Sequence, residues 1–331
     1  MDPFTHITAG ALGGQTIRER FRGRSIFWFC VLSAWIPDID NLIGLGNPEF
    51  YLLHHRGLTH SFLGGLVIAL LLSGIFKIFI RSFPFLIGIL LSYACIGIHI
   101  FLDLITSYGT QIFAPFTNNR HMIHCVFILD PILTVPLIVL LFLSFRLKQK
   151  RRQIAVAGLL WVLLYPMANL GIRETLQTYL NKSLTQQQLS YSEIHVTPTI
   201  LTPLFWKVLV EDADSYRAAR LNVLKPKELT PFELFQKADR NLMRKFGEKV
   251  SFFKTYEWFA VYPVMQKKET EDGFTVTFGD LRFYTNLKIG RQTFNRDNME
   301  FSLTAVLNKQ QEITGFIYQR PGRTRTIQYL E

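Results

Sequence analysis

At 331 residues the chain has room for two domains, and 49% hydrophobic content with a mean hydropathy of +0.18 makes it too apolar for an ordinary soluble protein. A net charge of +11 could suit a nucleic-acid partner, but each basic cluster of the first half flanks an apolar run, so that partner is set aside. Three cysteines (Cys30, Cys95, Cys125) form no CxxC pair, which excludes a disulfide framework and a cysteine-based metal motif.

Apolar runs cover roughly 3–17, 25–37, 62–80, 84–107, 126–145 and 154–172. Beyond about residue 172, charge and β-branched residues take over. The sequence therefore predicts a polytopic α-helical membrane domain with about six membrane-inserted helices over 1–172. A β-rich α+β soluble domain follows over 173–331. Eleven of the thirteen basic residues in the first half lie in three places, Arg18–Arg24, Lys77/Arg81 and Arg146–Arg152. The positive-inside rule makes those three cytoplasmic. The N-terminus lacks a basic n-region and a long apolar core, so no cleavable signal peptide is expected.

Asp2-Pro3 reads as a helix start, Asp as N-cap and Pro in the first turn. The helix carries His6 and a Gly10/Gly14 pair suited to close helix approach. A basic turn follows, then a short apolar helix ending at Pro37-Asp38-Ile39-Asp40. Neither helix reaches the roughly 20 residues of a full span, so a hairpin dipping from the outer face is expected. A polar stretch then leads to His54-His55-Arg56-Gly57-Leu58-Thr59-His60-Ser61. The run 62–80 crosses inward and the next crosses outward, ending with His99 and Asp103. The loop 111–125 carries Arg120, His121 and His124. Asp130-Pro131 opens another inward helix, and the last helix returns outward, placing the soluble half outside. Within that half, 205–210, 274–278, 281–284 and 301–307 read as strands and 230–246 as an amphipathic helix.

This topology, fixed from lysine and arginine alone, puts His6, Asp38, Asp40, His54, His55, His60, His99, Asp103 and Asp130 in one extracytoplasmic layer. Histidine is the commonest metal ligand. His99 and Asp103 are four apart and share a helix face, and Asp-x-Asp suits a divalent ion. The proposed ligands are His6, Asp38, His55, His60, His99 and Asp103. Asp40 and Asp130 are candidates for orienting residues or a general base, although Asp130 also fits a simple N-cap. Such a set exceeds one catalytic zinc and fits one or two divalent ions, zinc first, with manganese or iron as alternatives. Arg56 and Arg120 are the outer-face arginines and candidate phosphate clamps.

Several short motifs resemble the LexA-regulated, membrane-bound metal-dependent hydrolase family. They are Met1-Asp2-Pro3-Phe4-Thr5-His6, Pro37-Asp38-Ile39-Asp40, His55-Arg56-Gly57-Leu58-Thr59-His60-Ser61, His99-x-x-x-Asp103 with Thr106–Thr110, and Asp130-Pro131. Trp206-Lys207-Val208 and Asp280-Leu281-Arg282-Phe283 extend the likeness into the second half. The resemblance implies metal-dependent hydrolysis in a bacterial inner membrane, and its motif histidines and aspartates fall on the positions named above. The expected function is a multi-pass metallohydrolase acting at the outer face on a membrane lipid or lipid-linked (phospho)ester, with its C-terminal domain extracytoplasmic. The alternatives are a non-enzymatic metal-binding scaffold and a metal or proton transporter.

Overall fold

The computed structural model describes residues 1–20, 24–284, 288–289, 292–293, 299–320 and 323–328. Residues 21–23, in the middle of the basic turn Arg18–Arg24, lie outside the described residues. The chain divides into two compact units. The first holds Met1–Gly46, His54–Thr178 and Val196–Trp206. The second holds Asn47–Leu53, Tyr179–His195 and Lys207–Glu331.

The helices in chain order are α1 (Pro3–Ile17), α2 (Arg24–Trp35), α3 (Pro48–His54), α4 (Phe62–Phe79), α5 (Phe85–Leu104), α6 (Pro131–Arg146), α7 (Arg151–Gln186), α8 (Arg240–Lys249) and α9 (Ser251–Phe259). The Asp2 carboxylate caps α1 by accepting from the Thr5 N–H at 3.0 Å, and Pro3 fills a position whose N–H would go unused. Gly10 and Gly14 let α1 press onto α2. A Cβ at Gly10 would stand 2.4 Å from the Ala34 Cβ and 2.8 Å from the Cys30 carbonyl oxygen. Around Leu12, residues of α5, α6 and α7 close one core with Leu102, Leu133, Leu137, Ala155 and Val162.

Three helical segments, Phe62–Phe79, Phe85–Leu104 and one within Lys148–Gln186, are long and apolar enough to cross a membrane, and α6 is a shorter apolar helix. Their outer faces are apolar: Leu71, Ile78, Leu86, Leu90, Val139, Phe142, Leu164 and Met167 are exposed. Exposed leucine and phenylalanine along several faces is the pattern that lipid satisfies and water does not. Each of the six predicted apolar runs contains a helix, although residues 105–107 lie beyond α5 and 126–130 ahead of α6.

The second unit carries strands β1 (Glu193–Pro198), β2 (Phe205–Glu211), β3 (Ser215–Asn222), β4 (Glu233–Gln236), β5 (Pro263–Thr270), β6 (Gly273–Asp280), β7 (Lys288–Ile289), β8 (Gln292–Thr293), β9 (Ser302–Asn308), β10 (Ile313–Arg320) and β11 (Arg323–Gln328); β1 and β2 each begin or end in the first unit. They form antiparallel sheets ordered β1-β2-β3-β4 and β11-β10-β9-β6-β5, with a short β7-β8 pair. Gly273 opens β6 at φ +153°, where a Cβ would strike the Leu307 carbonyl of β9 at 2.1 Å.

Two expectations fail here. The helix expected over 230–246 begins only at Arg240. Residues 233–236 instead pair with β3, Phe235 opposite Tyr216, and Asp239 caps α8 through the N–H groups of Asn241 and Leu242. Residues 281–284 form a turn rather than a strand. The buried Asp280 carboxylate collects the N–H groups of Val261, Tyr262 and Arg282 and the Arg282 guanidinium, so the chain bends where its β-prone composition would continue.

Candidate metal centre

Four segments of the first unit deliver the site. His6 lies one turn into α1. Pro37 follows the end of α2, where a proline disfavours helical geometry in the residue before it, and a 3-10 segment, Ile36–Leu45, carries Asp38 and Asp40. The short 3-10 turn Leu58–His60 presents His60 just ahead of α4. His99 and Asp103 share a face at the end of α5. His6, His60, His99 and Asp103 are all completely buried.

One donor atom each from Asp38, His60, His99 and Asp103 lies within 4.8 Å of the others. The Nε2 atoms of His60 and His99 are 3.0 Å apart. Asp103 Oδ2 lies 3.2 Å from His60 Nε2 and 3.5 Å from His99 Nε2, and Asp38 Oδ1 lies 3.6 and 3.8 Å from the same two atoms. Tetrahedral nitrogen and oxygen ligands about 2.0–2.1 Å from zinc stand about 3.3–3.4 Å from one another. The observed spacings bracket that value. Asp103 Oδ2 is buried and makes no hydrogen bond among the described residues, as expected of an oxygen reserved for a cation. The donor set therefore fits a divalent metal.

Both histidines are oriented for this role. His99 Nδ1 donates to the Ala34 carbonyl at 2.7 Å, which turns Nε2 inward. The hydroxyl of Thr59 donates to Asp40 Oδ2 at 3.0 Å, so His60 Nδ1 is the donor toward Thr59 Oγ1, 2.9 Å away, and toward Asp40 Oδ2, 3.2 Å away. That leaves Nε2 as the ligating atom. A carboxylate or carbonyl behind a ligating histidine fixes its ring and raises its basicity. Asp40 does more: it also accepts the Arg56 N–H at 2.9 Å and faces His55 Nδ1 at 3.0 Å, so one carboxylate ties down the whole His55–His60 turn.

The remaining sequence candidates divide. His6 stacks on His99 with ring centroids 3.7 Å apart, and its Nε2 is 3.3 Å from Asp103 Oδ1, which makes it a fifth donor at the edge of the set. His55 directs Nδ1 to Asp40 and packs on Tyr108 at 5.3 Å, outside the four-atom group. Asp130 caps α6 through the N–H groups of Ile132 and Leu133 and accepts the Tyr165 hydroxyl at 2.8 Å. Arg56 is buried, with Nη2 on Asp103 Oδ1 at 2.8 Å and Nη1 on Thr106 Oγ1 at 3.0 Å. Arg120 donates to the carbonyls of Tyr108 and Gly109 at 3.2 and 2.8 Å. The guanidinium groups of the two arginines expected as phosphate clamps thus hold Asp103 and the 108–109 turn. The Met1 α-amino group also contacts Asp103.

Electrostatics follow from this packing. Burial alone would lower the pKa of His60, but the neighbouring carboxylates of Asp103, Asp38 and Asp40 outweigh it and push His60 up to about 10. Burial would raise Asp38, yet His60, His99 and His6 hold it down at about 2. Asp40 is likewise held below the usual carboxylate range by His55 and His60 against its burial. Two carboxylates, Asp38 and Asp103, thus flank the two Nε2 atoms, with the Arg56 guanidinium and the Met1 α-amino group against Asp103.

The sequence model of the family described as YdjM inner membrane protein matches residues 1–176, over half of the chain. The chain belongs to the YdjM inner membrane protein family. Every residue of the cluster falls inside that YdjM region, as do the three candidate spans up to the middle of α7. The chain is also similar to the uncharacterized protein YfhP of Bacillus subtilis (strain 168), with 28% identity over 142 residues, 41% of this chain and 43% of that relative. The match spans less than half the length of that relative. No solved structure matches the chain.

Sequence reasoning missed three supports of the YdjM-region cluster. The Ala34 carbonyl carries no side-chain signal at all. Thr59 lies inside the histidine motif, where its polarity was the available clue. Tyr108, whose ring centroid is 4.9 Å from the Arg56 guanidinium and 4.7 Å from that of Arg120, was visible only as part of a Thr-Ser-Tyr-Gly-Thr turn.

Proposed function

We propose that this protein is a membrane-embedded, metal-dependent hydrolase acting on a lipid or lipid-linked ester, phosphoesters included. The observation that carries the proposal is the convergence of Asp38, His60, His99 and Asp103, with both Nε2 atoms aimed at one point by Asp40, Thr59 and the Ala34 carbonyl. Those four side chains would hold a divalent ion, zinc in first place and manganese or iron as alternatives. His6 stands ready as a further donor, which keeps a second ion in play. A bound ion supplies Lewis-acid polarisation and the activation of water. The chain's own residues fix the geometry: Arg56 holds the outer oxygen of Asp103, and Asp40 holds the imidazole of His60. The lipid assignment rests on the site's place at the ends of apolar helices in an inner membrane protein.

The same reading places the cluster at the outer face. The basic clusters at Arg18–Arg24, Lys77/Arg81 and Arg146–Arg152 are cytoplasmic by the positive-inside rule, which makes the chain multi-pass with about six inserted helices and an extracytoplasmic C-terminal domain. A reporter fused after Glu331 tests this, and cytoplasmic activity of the reporter would reverse the sidedness.

A second reading has its own support. Four protein donors grouped within 4.8 Å match in number the closed set of a structural zinc rather than the three-plus-water set of a catalytic one, which fits a metal-stabilised membrane scaffold. One experiment separates the two. Purified wild type, His60→Ala and Asp103→Ala are assayed for bound metal and for hydrolysis of lipid esters and phosphoesters. Hydrolysis by wild type that disappears with the metal supports the enzyme. Tightly held metal without turnover, and a fall in thermal stability when it is lost, supports the scaffold.

A further inference from the structure

Away from the metal cluster, the second unit has a cavity of about 400 Å³ between α8 and the β5-β6-β9-β10 face. That volume is within the range of small-ligand sites. Its apolar lining includes Phe246, Val276 and Leu307, with half-buried Leu242 and Ile313. Its rim is basic. Lys245 and Lys249 stand one turn apart on α8, Lys267 comes from β5, and Lys309 comes from the turn between β9 and β10. Glu312 is the one acidic residue of the lining.

Several cations elsewhere in this domain are paired: Lys237 sits 2.7 Å from Glu211, Arg244 2.9 Å from Glu257 and Lys225 3.2 Å from Glu228. Among the described residues none of the four rim lysines forms an ion pair. Lys267 is set over the Phe274 ring at 4.3 Å, and Glu312 is engaged by Asn308 at 3.0 Å. Like charges at i and i+4, as at Lys245 and Lys249, disfavour a helix. Four exposed lysines around an apolar floor are complementary to a ligand that joins an anionic head to carbon chains.

We propose that this groove binds an anionic phospholipid, its phosphate among Lys245, Lys249, Lys267 and Lys309 and its first acyl carbons on Leu242, Phe246 and Ile313. A free phosphate would use the rim and leave the apolar floor without a purpose. The domain is covalently part of a membrane protein, so lipid is the amphiphile at high effective concentration.

The test uses the purified full chain in a neutral detergent. Short-chain phosphatidylglycerol, short-chain phosphatidylcholine and inorganic phosphate are titrated against wild type, the Lys245→Gln/Lys249→Gln pair and the Lys267→Gln/Lys309→Gln pair. All four lysines are exposed, so both variants should keep the wild-type melting temperature, which is checked. The proposal expects saturable phosphatidylglycerol binding that weakens about tenfold or more in each variant and declines with salt, and clearly weaker binding of phosphatidylcholine. Equal affinity for the two lipids, inorganic phosphate binding as tightly as phosphatidylglycerol, or full affinity in both variants would overturn it. Bound metal unchanged from wild type in both lysine pairs separates this groove from the metal cluster.

Discussion

His60 and His99 are 39 residues apart in the chain and face each other through their Nε2 atoms at 3.0 Å, each held from behind through Nδ1. Two imidazoles aimed at one point beside two carboxylates suit the divalent cation proposed for this site. Substituting either histidine or Asp103 by Ala should therefore abolish tight metal binding. Asp40→Asn should retain binding but weaken it by about 10–100-fold, the usual effect of loosening a residue behind a ligand. Metal content and affinity by competition with a chelator give the answer, and an Asp40→Asn protein with wild-type affinity would remove Asp40 from this role.

Arg56 gives the second prediction. Its guanidinium pairs with Asp103 inside the protein, and deleting one partner of a buried pair costs about 3–5 kcal/mol. Arg56→Gln should lower thermal stability and metal affinity together, with Arg56→Lys intermediate because an ammonium cannot reproduce the forked contact to Asp103 and Thr106. A variant that keeps both stability and metal, yet binds substrate poorly, would restore the clamp role instead.

Packing of α1 on α2 sets the position of His6. At Gly10 any side chain meets the Ala34 Cβ and the Cys30 carbonyl, contacts with no flexible end to move aside. Gly10→Val should cost well over 1 kcal/mol through overpacking and should reduce metal retention by shifting His6 and Ala34, whereas Gly74→Ala, with open space around it, should do neither. Melting temperature and metal content of the two purified variants decide this.

In the second unit Lys207 is buried and donates to the carbonyls of Leu281 and Arg282. Burial lowers its pKa to about 7, with Asp280 opposing and Arg282 adding to the fall. The unfolded chain has an ordinary lysine near 10.4. Between those values the unfolded state carries a proton that the folded state has released, so this group makes stability rise with pH from about 7 to about 10. Lys207→Met removes that contribution. Melting temperatures of wild type minus variant, followed from pH 7 to 9.5, should therefore increase, and a flat difference would show that Lys207 titrates normally.

The legible part of this protein was its local chemistry. Apolar run length marked every helix from α1 to α7 except the short α3, because a segment facing lipid must satisfy its backbone internally and advertise that in composition. Asp2-Pro3 and Asp130-Pro131 marked two helix starts because capping is a contact within three residues. The clustered residues Asp38, His60, His99 and Asp103 stood out in the sequence because histidine and aspartate near apolar spans are costly without a role. Sequence pattern failed where a distant partner outbid local preference: β3 claimed 233–236 from a helical periodicity, and Asp280 bent 281–284 out of a strand.

Sequence alone thus determined which residue types were available, which helices carried them and that the chain is built for a membrane. Tertiary structure decided the assignment among them. It drew Asp38, His60, His99 and Asp103 into one group, placed Asp40 behind His60, and turned Arg56 inward onto Asp103. Each of these choices depends on distances between atoms tens of residues apart, set by how Gly10 lets α1 approach α2 and how α2 meets α5. Composition and spacing along the chain carry no record of such distances, because they are fixed only when the helices pack.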